Sequence, residues 1–330
     1  MSRRVDRLVW RRLPWAPVAV IAALWTAYRR ERPDVVQHAS VKALMYGSWV
    51  ARSHGIPVIN TVSGLGYAMI ERPDDDLGLR ALRAGVKFGY RFAFHGRDVH
   101  NVFQNPEQLE QFVALGLADR SSTHLIRGSG VDVARFQPSP LPGGTPIVMV
   151  PSRLLWDKGI GDFVDAVRVL RARNVAARFV LVGGQDPGNP ARIPSSVVDS
   201  WIDEGLVEWW GDQADMPTTL RQATIVVLPS YAEGMPLALA EGAATGRPII
   251  ASDIPGCREV VIDGWNGWRV PLRDAPALAS AIETALGDRA RLELMGERSR
   301  THVVEWLSRE RVVTEMLALY RRVLGPKWSQ

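Results

Sequence analysis

The chain has 330 residues, with 40 Lys/Arg against 35 Asp/Glu and a formal net charge of +5; that length predicts two domains rather than one. Its single cysteine, Cys257, excludes an intramolecular disulfide and fits a reducing compartment. The His, Cys and carboxylate spacings show no metal-ligand cluster, and no aromatic RNA-binding motif, zinc finger or basic recognition helix stands out, so nucleic acid is not an expected partner. The charge is uneven: residues 1–130 hold about 18 Lys/Arg against 11 Asp/Glu, the remainder about 22 against 24. A basic first part suits an anionic membrane surface or a phosphorylated lipid.

In chain order, the first segment has a basic start and an apolar run from about Trp15 to Ala27. It shares features with a secretory or twin-arginine signal. Pro14 and Pro17 interrupt the run, which is too short to span a bilayer. The spacing predicts a helix over 17–31, docked on a sheet with an interfacial face, and no transmembrane segment. Strands are predicted at 34–38, 57–62, 100–105 and 123–128, with helices at 41–54, 77–95 and 106–116. QPSPLPGGTP (137–146) reads as a linker. Beyond it, strands are predicted at 146–152, 177–184, 207–211, 224–230, 248–252 and 267–270. Helices are predicted near 160–173, 196–204, 215–222, 236–245, 275–286 and 289–299, and 302–325 has helical periodicity. Continuous apolar strands alternating with helices imply two doubly wound α/β domains, whose ligands bind beyond the carboxyl ends of parallel strands. The cleft between the domains is the expected site.

Two segments carry chemistry at such strand ends. SRLLWDKG (152–159) places Arg153 and Lys158 after a buried strand, a pair suited to two phosphates. SYAEGMPLALAEG (230–242) is a turn followed by a helix. Pro236 suits the first turn, Leu237 and Ala238 offer helix-end N–H groups to an anion or a sugar hydroxyl, and Gly234 lets the backbone come close to a ligand. Glu233 faces the same cleft, and Glu241 is a carboxylate set among small apolar residues, costly there without a partner.

EGMPLALAE (233–241) resembles the E-x7-E motif of family-4 retaining glycosyltransferases, which have the GT-B fold. SRLLWDKG resembles that family's phosphate-binding segment, and RGSGVDVARFQP (127–138) its inter-domain hinge. PIIASDIPGCREVVIDGWNGWRV (248–270) resembles its stretch after the motif, and SGLGYAM (63–69) a glycine-containing segment of its first domain. The resemblance implies two Rossmann-like domains facing across a cleft: a first, acceptor-side domain over 1–137, a nucleotide-sugar domain over 138–308, and a C-terminal helix over 309–330 that crosses back, with Trp306 at the bend. It implies that Arg153 and Lys158 neutralise the donor diphosphate without a metal, that Glu233 holds hydroxyls of the transferred sugar, and that Glu241 binds the ribose. Gly234, Met235, Pro236 and Leu237 would line sugar and phosphate with backbone, and Trp209, Trp210 and Gly211 would lie near the nucleobase, the two tryptophans also reading as core packing. Ser63, Gly64, Leu65 and Gly66 would stand on the acceptor side.

Two departures bear on activity. Ser63 stands where many relatives have a histidine, and serine is no general base near neutral pH without help; His38 and His54 are the alternatives. The chain also begins at what resembles a later element of the family's first domain, so that domain is expected to be incomplete and to expose apolar sheet edges. The implied function is hexose or N-acetylhexosamine transfer from a nucleotide sugar, with UDP favoured, to a polyprenyl-diphosphate-linked saccharide at the inner face of the cytoplasmic membrane. No cofactor is expected. A truncated, inactive nucleotide-sugar-binding protein and a sugar-nucleotide epimerase are the alternatives.

Overall fold

The computed structural model describes residues 16–62 and 77–329, in two lobes each built on a parallel sheet. The first lobe opens with α1 (Ala16–Glu31), β1 (Val36–His38), α2 (Val41–Ser53) and β2 (Val58–Val62). It continues with α3 (Leu77–Phe94), β3 (Val99–Phe103), α4 (Pro106–Ala114) and β4 (Thr123–Leu125). Its strands lie in the order β1-β2-β3-β4, all parallel. Pro17 does not break α1: it sits in the first turn, where its missing N–H would be unsatisfied in any case.

The second lobe contains β5 (Ile147–Pro151), α5 (Ile160–Ala172), β6 (Arg178–Val182), α6 (Ser195–Asp203), β7 (Glu208–Trp209), α7 (Met216–Arg221) and β8 (Ile225–Leu228). Then come α8 (Leu237–Ala244), β9 (Ile249–Ser252), α9 (Pro255–Arg258), β10 (Gly267–Val270), α10 (Ala275–Leu286) and α11 (Arg289–Trp306). The last long helix, α12 (Arg309–Leu324), belongs to neither run of strands. The strand order β7-β6-β5-β8-β9-β10 is that of a dinucleotide-binding sheet, reversing direction between β5 and β8. Alternation along the strands builds a core on each face. Val148, Val150, Ile225 and Val227 enter one core, Ile147, Met149, Val226 and Leu228 the other.

The 302–325 stretch is not one helix. α11 ends at Trp306, Leu307 is buried, and Ser308 begins α12, which packs Val312 and Leu319 on Ile59, Val102 and Ile126 of the first sheet. At this break the chain pairs with the other crossing between lobes: Val131 N–H donates to Leu307 O (2.8 Å) and Arg309 N–H to Val131 O (2.8 Å). Gly130, at φ +73°, makes the approach possible, since a Cβ there would lie 2.5 Å from Arg309 Cα. The predicted 207–211 strand shortens to two paired residues at the sheet edge, and α9 has no counterpart among the predicted elements.

On its other face the first sheet is covered by α2, α3 and α4, where Phe112 stands 5.1–5.8 Å from the rings of Tyr90, Phe94 and Phe103. All four side chains are fully buried. Phe112→Ala should destabilise the protein by about 3–5 kcal/mol, because a ring-sized cavity in an aromatic cluster closes poorly; the shift of the urea midpoint measures it.

Candidate active site

The reversal between β5 and β8 sends the helices after these strands to opposite faces and opens a crevice at their carboxyl ends. The two segments singled out by sequence meet there. After β5 the chain runs through a 3₁₀ turn, Trp156–Lys158, to Gly159 at φ +69°. A Cβ on Gly159 would fall 1.9 Å from Pro229 O, so only glycine lets the start of α5 lie against the end of β8. The two loops are joined by Tyr231 N–H donating to Asp157 O (2.9 Å) and Ser230 Oγ donating to the same carbonyl (3.2 Å).

Lys158 and Glu233 face each other across this junction. Lys158 Nζ donates to Glu233 Oε1 at 2.6 Å, with the side chains 22% and 12% exposed. Two residues separately assigned to phosphate and to sugar hydroxyls are thus one largely buried ion pair. Arg153 is more open, and its Nη1 donates to Asp186 Oδ2 at 2.6 Å. Gly234, Met235 and Pro236 are buried, and Leu237 is exposed at the first turn of α8. Pro236 occupies the N-cap position rather than the first turn, and no side chain caps α8. The opening N–H groups therefore keep their partial positive charge beside Glu233.

Glu241 lies further along α8, half-buried, with no hydrogen bond to its carboxylate among the described residues. Burial raises its pKa to about 7, against the pull of Arg135 in the hinge and Arg309 at the start of α12. Trp209 and Trp210 pack on opposite cores of the sheet. Trp209 donates to Gly183 O (2.9 Å), while Trp210 donates to Glu208 and lies under the Arg178 guanidinium, 5.7 Å from the ring centre. Gly211, whose carbonyl accepts from Gly183 N–H (2.8 Å), continues past the strand end. Ser63, Gly64, Leu65 and Gly66 lie outside the described residues.

Neither alternative histidine is placed for catalysis. His38 is buried, its Nδ1–H donating to Asn60 Oδ1 (3.2 Å) and its Nε2 accepting from the Tyr28 hydroxyl (3.0 Å); burial lowers its pKa. His54 has Nδ1 3.0 Å from Val50 O and its ring against Trp25.

Sequence reasoning missed the supports of the site. Asn105 caps α4 by accepting from Gln108 N–H (2.8 Å) and donates through Nδ2 to Gly234 O (2.9 Å), so a first-lobe side chain holds the loop beside Glu233. Arg258 joins Asp253 to Glu107 of the first lobe (2.7 Å each), and Arg127 pairs with Glu259 (2.6 Å). The Tyr231 hydroxyl is bonded to Asp162, and burial first, then that carboxylate, raise its pKa to about 12. Asn105 was visible as an N-cap in N-P-E-Q, but its contact 129 residues away was not.

Residues 145–288 match the family described as "Glycosyl transferases group 1". The chain is 28% identical over 308 residues to N,N'-diacetylbacillosaminyl-diphospho-undecaprenol alpha-1,3-N-acetylgalactosaminyltransferase of Campylobacter jejuni, covering 88% of this chain and 77% of that one. It is 25% identical over 314 residues to UDP-Gal:alpha-D-GlcNAc-diphosphoundecaprenol alpha-1,3-galactosyltransferase of Escherichia coli, covering 91% and 78%. Among solved structures it superposes on sucrose-phosphate synthase from Thermosynechococcus elongatus with a TM-score of 0.80 at 22% identity, over 94% of this chain and 78% of that one. The fold is GT-B, and the chain is a glycosyltransferase enzyme. The two relatives named from sequence are glycosyltransferases whose names specify undecaprenol-diphosphate-linked sugars.

The raised Glu241 pKa has a consequence for stability. The folded protein holds this proton up to about pH 7, whereas the ordinary carboxyl releases it near 4.5. Its contribution is therefore full below 4.5 and is lost as pH rises towards 7. The stability difference between wild type and Glu241→Gln should fall across that window and level off above it, as read from denaturation midpoints at pH 4.5 to 8.

Proposed function

We propose that the enzyme transfers a hexose or N-acetylhexosamine, with retention, from a UDP-sugar to a polyprenyl-diphosphate-linked saccharide at the inner face of the cytoplasmic membrane. The observation that carries the reading is the meeting of Lys158, Glu233 and the uncapped start of α8 at the switch point of the sheet. A diphosphate seated there meets an ammonium and helix-end N–H groups, with Arg153 at the rim. The names of the relatives support the acceptor class and, in one case, the uridine nucleotide.

On this reading the bond between the sugar's anomeric carbon and the leaving phosphate oxygen breaks, and one from that carbon to an acceptor hydroxyl oxygen forms on the same face. The acceptor proton passes to the leaving phosphate, so no protein base is required. Lys158, Arg153 and the start of α8 stabilise the charge gathering on the diphosphate. When the diphosphate engages Lys158, Glu233 is free to accept sugar hydroxyls, and the Asn105 bond to Gly234 O keeps its backbone in place. Glu241, carrying no hydrogen bond among the described residues, accepts ribose hydroxyls. Trp210 and Gly211 border the base.

Calorimetry with UDP, GDP and ADP in the absence of added metal tests this. Selective UDP binding is expected, and equal affinity for all three, or none, overturns the donor assignment. Lys158→Ala should weaken UDP binding about 10- to 100-fold through loss of a charged hydrogen bond. Glu233→Gln should lower transfer far more than UDP affinity; equal losses would remove Glu233 from the sugar subsite.

A further inference from the structure

β3 is an inner strand of the first sheet, and the residues beyond its carboxyl end meet the second lobe. Its last residue, Phe103, enters the aromatic core, and Asn105 reaches across to Gly234 O. Gln104 stands between these two, 7% exposed, and no hydrogen bond reaches its side-chain amide among the described residues. Its neighbours are committed elsewhere. Asn105 accepts from Gln108 N–H through Oδ1 and donates to Gly234 O through Nδ2, so both its polar atoms are occupied. Glu107, the nearest carboxylate in sequence, is bonded to Arg258 (2.7 Å). Gln108, in the first turn of α4 and 4% exposed, has its own Oε1 buried without a partner among the described residues, so the two glutamine amides do not satisfy each other.

Folding an amide out of water without a partner costs stability, and such a group in a native protein marks a place that something else completes. The other described residues that directly follow strands of the first sheet offer no comparable group. Ala39, after β1, is exposed and has no polar side chain; Ile126, after β4, is buried and apolar; and Arg127 beyond it is paired with Glu259. Gln104 is one peptide unit from the side chain that touches Gly234 O, beside Glu233. It therefore looks onto the donor loop from the first lobe. The groups assigned to the donor, Lys158, Glu233 and the start of α8, all belong to the second lobe.

We propose that Gln104 is an acceptor-reading residue, whose side-chain amide hydrogen-bonds a hydroxyl of the acceptor sugar and orients it towards the anomeric carbon of the donor. The inference rests on the saccharide-acceptor reading given above. An amide offers two N–H donors and a carbonyl acceptor, which suits a hydroxyl that both donates and accepts. It takes up no proton near neutral pH, so it orients the nucleophile without acting as its base, and the acceptor proton still passes to the leaving phosphate. An acceptor lacking that hydroxyl leaves the amide unpaired in a closed cleft and is refused.

The test is turnover by the full chain with UDP-hexoses and UDP-N-acetylhexosamines as donors. The acceptors are farnesyl-diphosphate-linked glucose, galactose and their 2-acetamido forms, together with the monodeoxy versions of each. Gln104→Met, close in shape and without the amide, should raise the acceptor KM about tenfold while UDP affinity and the KM for the UDP-sugar stay unchanged. Its melting temperature should equal or exceed that of wild type, since no bond within the protein is lost. One deoxy acceptor should cost wild type about tenfold in kcat/KM and cost the methionine variant nothing, which identifies the hydroxyl that the amide holds. A lowered melting temperature or UDP affinity would make Gln104 a structural residue and overturn the proposal. An unchanged acceptor KM, or a variant that loses as much as wild type on every deoxy acceptor, overturns it for Gln104 alone. A wild type that transfers to none of these acceptors overturns the acceptor reading, and this inference with it.

Discussion

The order of strands in the second sheet governs the site. Because β5 and β8 are neighbours whose following helices leave on opposite faces, the loops beyond them diverge and leave a crevice floored by backbone. Every candidate donor residue on Ser152–Gly159 and Tyr231–Glu241 inherits its position from that reversal. The loops are kept together by hydrogen bonds to a single carbonyl, that of Asp157, and by a glycine that admits Pro229 O where a side chain could not fit. The chemistry sits on the least regular backbone of the lobe and is held by its most regular part.

The Lys158–Glu233 pair shows what such a crevice demands. A largely buried ammonium and carboxylate are tolerable together and costly apart. The same constraint makes the site responsive: a ligand that supplies its own negative charge to Lys158 must also supply donors to Glu233. A nucleotide sugar has both, with diphosphate and hydroxyls in one molecule. Inorganic phosphate has the charge but brings few hydroxyl donors. Cys257 lies close enough to feel both members of the pair, yet burial raises its thiol pKa far above the ordinary range, so it stays protonated and takes no part in the charge exchange.

Much of the fold was legible because the strands of the second lobe are buried on both faces, and continuous apolar runs such as PIVMVPS and TIVVLPS are a strong local signal. The break between α11 and α12 leaves no local signal, since Leu307 and Ser308 continue a helical pattern; the bend at Trp306 was expected only from the family resemblance, and the pairing with Val131 that turns the chain there, far away in sequence, was not visible. Edge strand β7 was overestimated because VEWWG has high strand propensity while only two residues find a partner. For the site, Lys158 was visible as a cation at the end of a buried strand, and Glu233 and Glu241 as carboxylates in an apolar stretch, but the bond between Lys158 and Glu233 was not, because each had been matched to a ligand and not to the other. Asn105, Arg258 and Asp162 were illegible as site residues: short-range pattern identifies a helix cap or a surface ion, and only the tertiary fold brings each to the loop it supports.

The chain passes between its lobes twice, and the two passages are bonded to each other through Val131, Leu307 and Arg309. Covalent continuity is therefore gathered along one short seam, while the contacts across the cleft, Asn105 to Gly234 and Glu107 to Arg258, are side-chain bonds that can be broken without straining a peptide unit. A body joined in this way has one cheap direction of movement, a rotation about the seam that parts the cleft like the covers of a book. Gly130 fixes where that axis runs: any larger residue there would push the two strands of the spine apart.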